Sequence, residues 1–232
     1  MTIKIIAFDA DDTLWHNETL YHQTQEKYKR LLQKYINTED VEEKLYQTEI
    51  KNLAYFGYGI KSFSLSMIET AGLLTNGCIS AQDLLQIVKF AKEMLDAPIE
   101  LLPGVRDVVD RLSRAFDLMI ITKGDLLDQK RKLSRSGLEP YFKWVEIVTD
   151  KTPKVYADLL ALHRLEPSEF VMVGNSLRSD VLPVLSLGSP AVYIPYHLTW
   201  AHEHDIDHLP VDNRYLQIED ISFLPALIDQ LN

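Results

Sequence analysis

The chain opens with "IIAFDADDTLW", Ile5 to Trp15, an apolar run that ends in three aspartates within four positions. From Ile3 to Phe8 the residues are apolar and mostly β-branched, interrupted by Lys4 and Ala7. A short, nearly continuous run of this kind predicts a strand covered on both faces, as in a parallel sheet. Carboxylates this close repel one another unless a cation or hydrogen-bond donors intervene. The cluster therefore reads either as a solvated turn or as a site built to hold a metal ion and attack a substrate. If the backbone stays extended through Asp9, side chains alternate, so Asp9 and Asp11 share a side and Asp12 faces away. Ligands of open α/β sheets bind outside the carboxyl ends of the strands, where Asp9 and Asp11 would stand.

Similar runs recur as "DLMIIT" (Asp117 to Thr122), "KWVEIVT" (Lys143 to Thr149), "FVMVGN" (Phe170 to Asn175) and "PAVYIP" (Pro190 to Pro195). Helical spacing lies between them, in Val105, Val108, Val109 and Leu112 and again in Val155, Tyr156, Leu159, Leu160 and Leu162. Gly137 reads as the stop after the helix "LLDQKRKLSRS". Strands alternating with helices predict an α/β, doubly wound parallel sheet.

The segment from Trp15 to Leu102 departs from that rhythm. Leu20, Tyr21, Thr24, Tyr28, Leu31, Leu32 and Tyr35 keep helical spacing, and Val41 and Leu45 start a second helix. Phe63 to Leu74 supplies a third, and "SAQD" at Ser80 to Asp83 reads as a capping box for a fourth. "APIELLPGV", Ala97 to Val105, returns the chain to the core, its prolines and glycine marking a boundary. The expected organisation is an α/β core of residues 1–14 and 103–232 with a helical domain, 15–102, inserted after the first strand.

The other strand tips add chemistry to the aspartates. The second strand ends in Thr122, followed by Lys123, Gly124 and Asp125; the third is followed by Asp150 and Lys151; the fourth leads into "GNSLRSD", Gly174 to Asp180. An acid pair, a hydroxyl, a lysine and a further acid on one sheet edge suit an anion held together with a hard cation.

On these residues the chain resembles the haloacid dehalogenase-like hydrolase superfamily. "DADDT" is similar to its first signature, Thr122 in "IITKGD" to the second, Lys151 in "DKTPKVY" to the third and "GNSLRSD" to the fourth. The helical insert resembles the cap domain of one large branch, and the core the Rossmann-like sheet of the superfamily. The resemblance implies a magnesium-dependent phosphatase acting on a small phosphorylated metabolite. Asp9 would attack phosphorus and Asp11 would serve as general acid, then base. Thr122, Lys123 and Lys151 would hold the phosphoryl oxygens. Magnesium would take the Asp9 carboxylate, the Asp11 backbone carbonyl, and Asn175 or Asp180 directly or through water. The fourth signature commonly has aspartate where Asn175 stands, which shifts charge in the ligand set to Asp180. Lys154 competes with Lys151 for the third signature, but Lys151 lies nearer the strand end. Asp11 favours phosphate-ester chemistry, because the dehalogenase branch lacks an acid at that position. A phosphomutase, a dehalogenase and a non-catalytic binding protein with the same fold stand as alternatives.

Within the insert, "YFGYGIKSF" breaks the helical pattern with two glycines, a loop of the kind that reaches over the active site in capped relatives. Tyr58 and Lys61 are therefore candidate substrate contacts, with an inter-helix turn as the plainer reading; Trp15 is a candidate for the pocket or the hinge. "YHLTWAHEHDIDH" gathers His197, His202, His204 and His208 with Glu203, Asp205 and Asp207. A transition-metal site is conceivable there, but such loops are usually solvated. "DQKRKLSRS" reads as a basic, solvated helix face.

Composition sets the outer limits. A net charge of -10 argues against a broad nucleic-acid or anionic-membrane surface. The single cysteine, Cys78, excludes an intrachain disulfide and a cysteine-built zinc site. No run is long enough to span a bilayer, and the N-terminal stretch lacks the features of a signal peptide. These observations lead to the expectation of a cytoplasmic protein.

Overall fold

The computed structural model describes residues 2–198, 200–203 and 209–231. In chain order the first elements are β1 (Ile5–Phe8), α1 (Glu18–Leu32), α2 (Val41–Phe56), α3 (Ile60–Leu74), α4 (Ala81–Asp96) and α5 (Val105–Ser113). Then come β2 (Asp117–Lys123), α6 (Leu126–Ser136), β3 (Trp144–Val148), α7 (Pro153–His163) and β4 (Phe170–Gly174). A π-helical turn (Leu177–Val181) leads to α8 (Leu182–Leu185), β5 (Ala191–Tyr193), β6 (Tyr215–Gln217) and α9 (Leu224–Leu231).

The chain divides into two compact units, one of Met1–Glu18, Ile99–Lys123 and Gln129–Asn232, the other of Thr19–Pro98 and Gly124–Asp128. The first is built on a parallel sheet with strand order β3-β2-β1-β4-β5-β6. β1 is central, with Ile5 opposite Asp117 on one side and Phe170 on the other. Its alternation assigns its residues to two cores. Ile6 and Phe8 join Val105, Val109, Leu133, Leu224 and Ile228 on one face, while Ile5 and Ala7 join Tyr156, Leu160, Val184 and Leu185 on the other. Both faces are thus covered by helices, which is why the strand reads as a continuous apolar run rather than an alternating one. The short strand β6 and helix α9 complete the sheet and one of its covering layers without a counterpart in the expected elements. The inward face of α7 is carried by Tyr156 and Leu160, whereas Leu162 is exposed.

The second unit has its own core, in which Tyr28, Leu32, Leu45, Ile60, Met67 and Ile87 are fully buried. Ser80 caps α4 by accepting from the Asp83 N–H. The reciprocal half of the expected capping box is replaced: the Ser80 N–H donates to Tyr35 Oη, and Asp83 accepts from Lys34 and Tyr35. Gly137 closes α6 at φ +70°, a conformation that glycine adopts without a Cβ penalty. Among the described residues no helix is long and apolar enough to cross a membrane.

Candidate active site at the carboxyl edge of the sheet

Asp9 directly follows β1 and keeps its register, its N–H donating to Val173 O at 2.9 Å. The chain then turns helically, with the Leu14 N–H donating to Ala10 O at 2.8 Å. The backbone reaches the left-handed region at Asp12, φ +63°. Aspartate tolerates that conformation better than most residues. The Asp12 carboxyl turns to the start of α1 and accepts from the Asn17 and Glu18 N–H groups. Burial nevertheless pushes it up to about 7, against those backbone bonds.

A cavity of about 130 Å³ opens here, lined by Asp9, Asp11, Thr122, Lys123, Lys151, Asn175 and Asp180, among others. Every residue assigned to catalysis, phosphate or metal from the sequence therefore reaches one cavity. Thr122 comes from β2 and is buried. Lys151 follows β3, with its side chain 1% exposed, and donates to Asp9 Oδ1 and, at 2.7 Å, to Asp180 Oδ1. Lys154 faces solvent and pairs with Asp158 one turn along α7. Of the two candidate lysines, only Lys151 lines the cavity.

Asp180 is fixed from below by the turn after β4. Its Oδ2 accepts from the Ser176 N–H at 3.0 Å, and it packs against the Gly174 backbone so closely that a Cβ there would lie 2.2 Å from Oδ2. The Thr13 hydroxyl lies 3.0 Å from Asp9 Oδ2 and 3.2 Å from Asn175 Oδ1, which sets those two oxygens side by side. Burial drives the Asp9 carboxyl up to about 7; Lys151 opposes that shift, while the Asp180 charge adds to it. For Lys151 the order is reversed: burial alone would lower it, but Asp180 and Asp9 hold it above the ordinary lysine range.

Asp11 lines the same cavity but is held by a different set of partners. Trp15 Nε1 donates to its Oδ1 at 2.7 Å, Gln129 Nε2 to its Oδ2 at 2.8 Å, and Lys132 Nζ lies 3.1 Å from both oxygens. Trp15 is thus a buried partner of Asp11 rather than a cavity wall. Lys132 corrects the reading of "DQKRKLSRS" as a solvated face: Asp128, Gln129, Lys132 and Ser136 of that stretch are all buried, with Leu133. The inward stripe of α6 carries polar side chains where apolar ones would normally pack.

Glu203 was also missed as a site residue. It sits in a short turn after β5, with its side chain 11% exposed. It pairs with Lys123 and accepts from the Ser176 and Ser179 hydroxyls, so this part of the loop is not solvated. Burial alone would raise its carboxyl, but Lys123 and the three donated bonds outweigh burial and bring it to about 2. His197 is exposed, and the His202 carbonyl accepts from Arg178. His204, Asp205, Asp207 and His208 lie outside the described residues. Among those described, no group of three or more His, Cys, Asp or Glu side chains is arranged to hold a metal. Tyr58 and Lys61 belong to the helical unit, where Lys61 pairs with Asp125 at 2.9 Å.

A parallel α/β sheet with a buried acid at the tip of its central strand, paired to a lysine that follows the strand two places along the sheet, defines a class that works at its carboxyl edge. The family described as haloacid dehalogenase-like hydrolase matches residues 3–188, and the chain belongs to that family. A crystal structure of a haloacid dehalogenase-like family hydrolase from Xanthomonas campestris is 38% identical, covers 99% of this chain and 92% of that one, and has a TM-score of 0.89. The putative hydrolase YfnB from Bacillus subtilis, solved bound to magnesium, shares the fold at 19% identity and a TM-score of 0.68, over 99% of this chain and 100% of that one. Glyceraldehyde 3-phosphate phosphatase of Pyrococcus furiosus is 28% identical over 137 residues, 56% of this chain and 53% of that one. The match spans about half the length of that curated relative.

Proposed function

We propose that this chain is a magnesium-dependent phosphatase that hydrolyses a small phosphorylated metabolite in the cytoplasm. The observation that carries the reading is the buried Asp9, paired to Lys151 and set beside Asn175 at the mouth of one cavity. In this reading Asp9 attacks phosphorus, the bond from phosphorus to the leaving oxygen breaks, and Asp11 gives that oxygen its proton. A water then attacks the aspartyl phosphate, Asp11 takes the water's proton, and Asp9 is freed with release of phosphate. Thr122, Lys123 and Lys151 bind the phosphoryl oxygens, and Lys151 also holds Asp9 in place between the steps.

The residues present fit magnesium. Among the described residues the cavity is lined by the acids Asp9, Asp11, Asp12, Glu18, Asp180 and Glu203 against two lysines, Lys123 and Lys151. A phosphate dianion enters such a field poorly without a divalent cation. The upward push on Asp9 tells the same story, since Lys151 alone does not offset burial and the Asp180 charge. Asp9, Asn175, the Asp11 carbonyl and Asp180 offer hard oxygen donors of the kind magnesium takes together with waters. When bound, the ion neutralises the negative charge converging on the transferred group. The magnesium-bound relative and the phosphatase-named relative support this reading. The test is hydrolysis of 4-nitrophenyl phosphate: turnover requires magnesium and disappears in Asp9→Asn. Undiminished turnover by that variant overturns the assignment.

A further inference from the structure

We infer that Lys132, together with Gln129, is a positioning residue for Asp11, an assignment that rests on the phosphatase reading. Asp11 has a demanding task there, because it must deliver a proton to a departing oxygen and later collect one from water along nearly the same line. General acid–base groups work only when held within hydrogen-bond reach of the atom they serve. A carboxylate on a turn can rotate about two side-chain bonds, and nothing in its own backbone prevents it from doing so. Helix α6 supplies the restraint. Lys132 Nζ sits 3.1 Å from each Asp11 oxygen and is itself anchored by Asn17 Oδ1 at 2.7 Å. Gln129, one turn earlier on the same stripe, donates to Asp11 Oδ2 and to the Lys123 carbonyl. Trp15 closes the remaining side through Oδ1. Both oxygens are therefore held by donors from two separate parts of the unit.

Packing does not explain this arrangement. Lys132 is 6% exposed and Gln129 5%. Burying an ammonium and an amide is costly, and a buried ion pair is often no better for stability than apolar side chains of the same volume. A methionine at Lys132 and a leucine at Gln129 would fill the inward stripe of α6 equally well, but they would leave Asp11, Asn17 Oδ1 and the Lys123 carbonyl short of donors. What those substitutions remove is the fixed orientation of Asp11.

The test compares phenyl phosphate, a poor leaving group that needs protonation, with 4-nitrophenyl phosphate, which needs it less. Magnesium is present, and kcat/KM is the readout because it reports the first transfer. Lys132→Met is expected to lower kcat/KM for phenyl phosphate by about 10- to 100-fold, and to lower it markedly less for the nitrophenyl ester. The loss falls in kcat, with KM unchanged. In Asp11→Asn the same substitution adds nothing further, because the group it orients is gone. Gln129→Leu, which keeps the ammonium, gives the same pattern in weaker form and carries the test if Lys132→Met does not fold. Equal losses with both esters, a rise in KM alone, or additive losses in the double variant overturn the positioning role and leave the phosphatase reading standing. No turnover of either ester by the wild type, or undiminished turnover by Asp9→Asn, overturns the reading and this role with it.

Discussion

Gly174 has no side chain, and its role follows from that. Asp180 lies against it, with Oδ2, Cγ and Cβ all within 2.6 Å of where a Cβ would stand. Asp180 cannot give way, because Lys151 and the Ser176 N–H hold its two oxygens and the residue is 1% exposed. Gly174→Ala should therefore cost about 1–3 kcal/mol by overpacking. Its larger effect should be functional: moving Asp180 loosens Lys151 and with it Asp9. Denaturant titration measures the first; on the proposed magnesium-dependent reading, the magnesium concentration needed for half-maximal turnover measures the second and should rise. An alanine variant that melts and activates like the wild type would show that the close approach is not required.

Among the elements, the turn carrying Glu203 has the clearest pH signature. Its carboxyl stands near 4.5 in an unfolded chain and at about 2 here. A depressed carboxyl contributes its stabilisation fully above its unfolded value and loses it as pH falls through its folded value. The contribution is at most about 3 kcal/mol. Glu203→Gln should thus be less stable than the wild type at pH 7, and the gap should close as pH falls from about 4.5 towards 2. Denaturant melts of both proteins across that interval provide the check, and a constant gap would count against it. The same elements show what can be read from sequence and what cannot. β1, β2 and β4 were legible because burial on both faces leaves a solid apolar run. The strand-tip residues were legible because each such run ends in hydroxyl, amide, lysine or acid. β6 has only three residues, Tyr215–Gln217, too few to set a period. Lys132 was hidden by its neighbours: Lys130, Arg131 and Arg135 are exposed, and only the helical angle separates Lys132 from them. Glu203 pairs with Lys123 from 80 positions away, a distance no local pattern encodes.

For the molecule as a whole, the two units carry separate cores, so a lesion in one should be felt mainly there. Met67 is fully buried in the helical core, and Met67→Ala should cost about 2–5 kcal/mol. Hydrogen exchange should quicken in α2, α3 and α4 while the amides of β1, β2 and β4 keep their protection. Equal loss of protection in both units would show that they unfold as one. The strand order has a separate consequence during synthesis. β1 leaves the ribosome before the strands it joins: Ile5 is paired on one side with Asp117 and on the other with Phe170. At about 5–20 residues per second, translation of the intervening chain takes roughly 10–30 s. For that interval this greasy ribbon of the nascent polypeptide has no neighbour on at least one flank, and it is a segment a chaperone would meet.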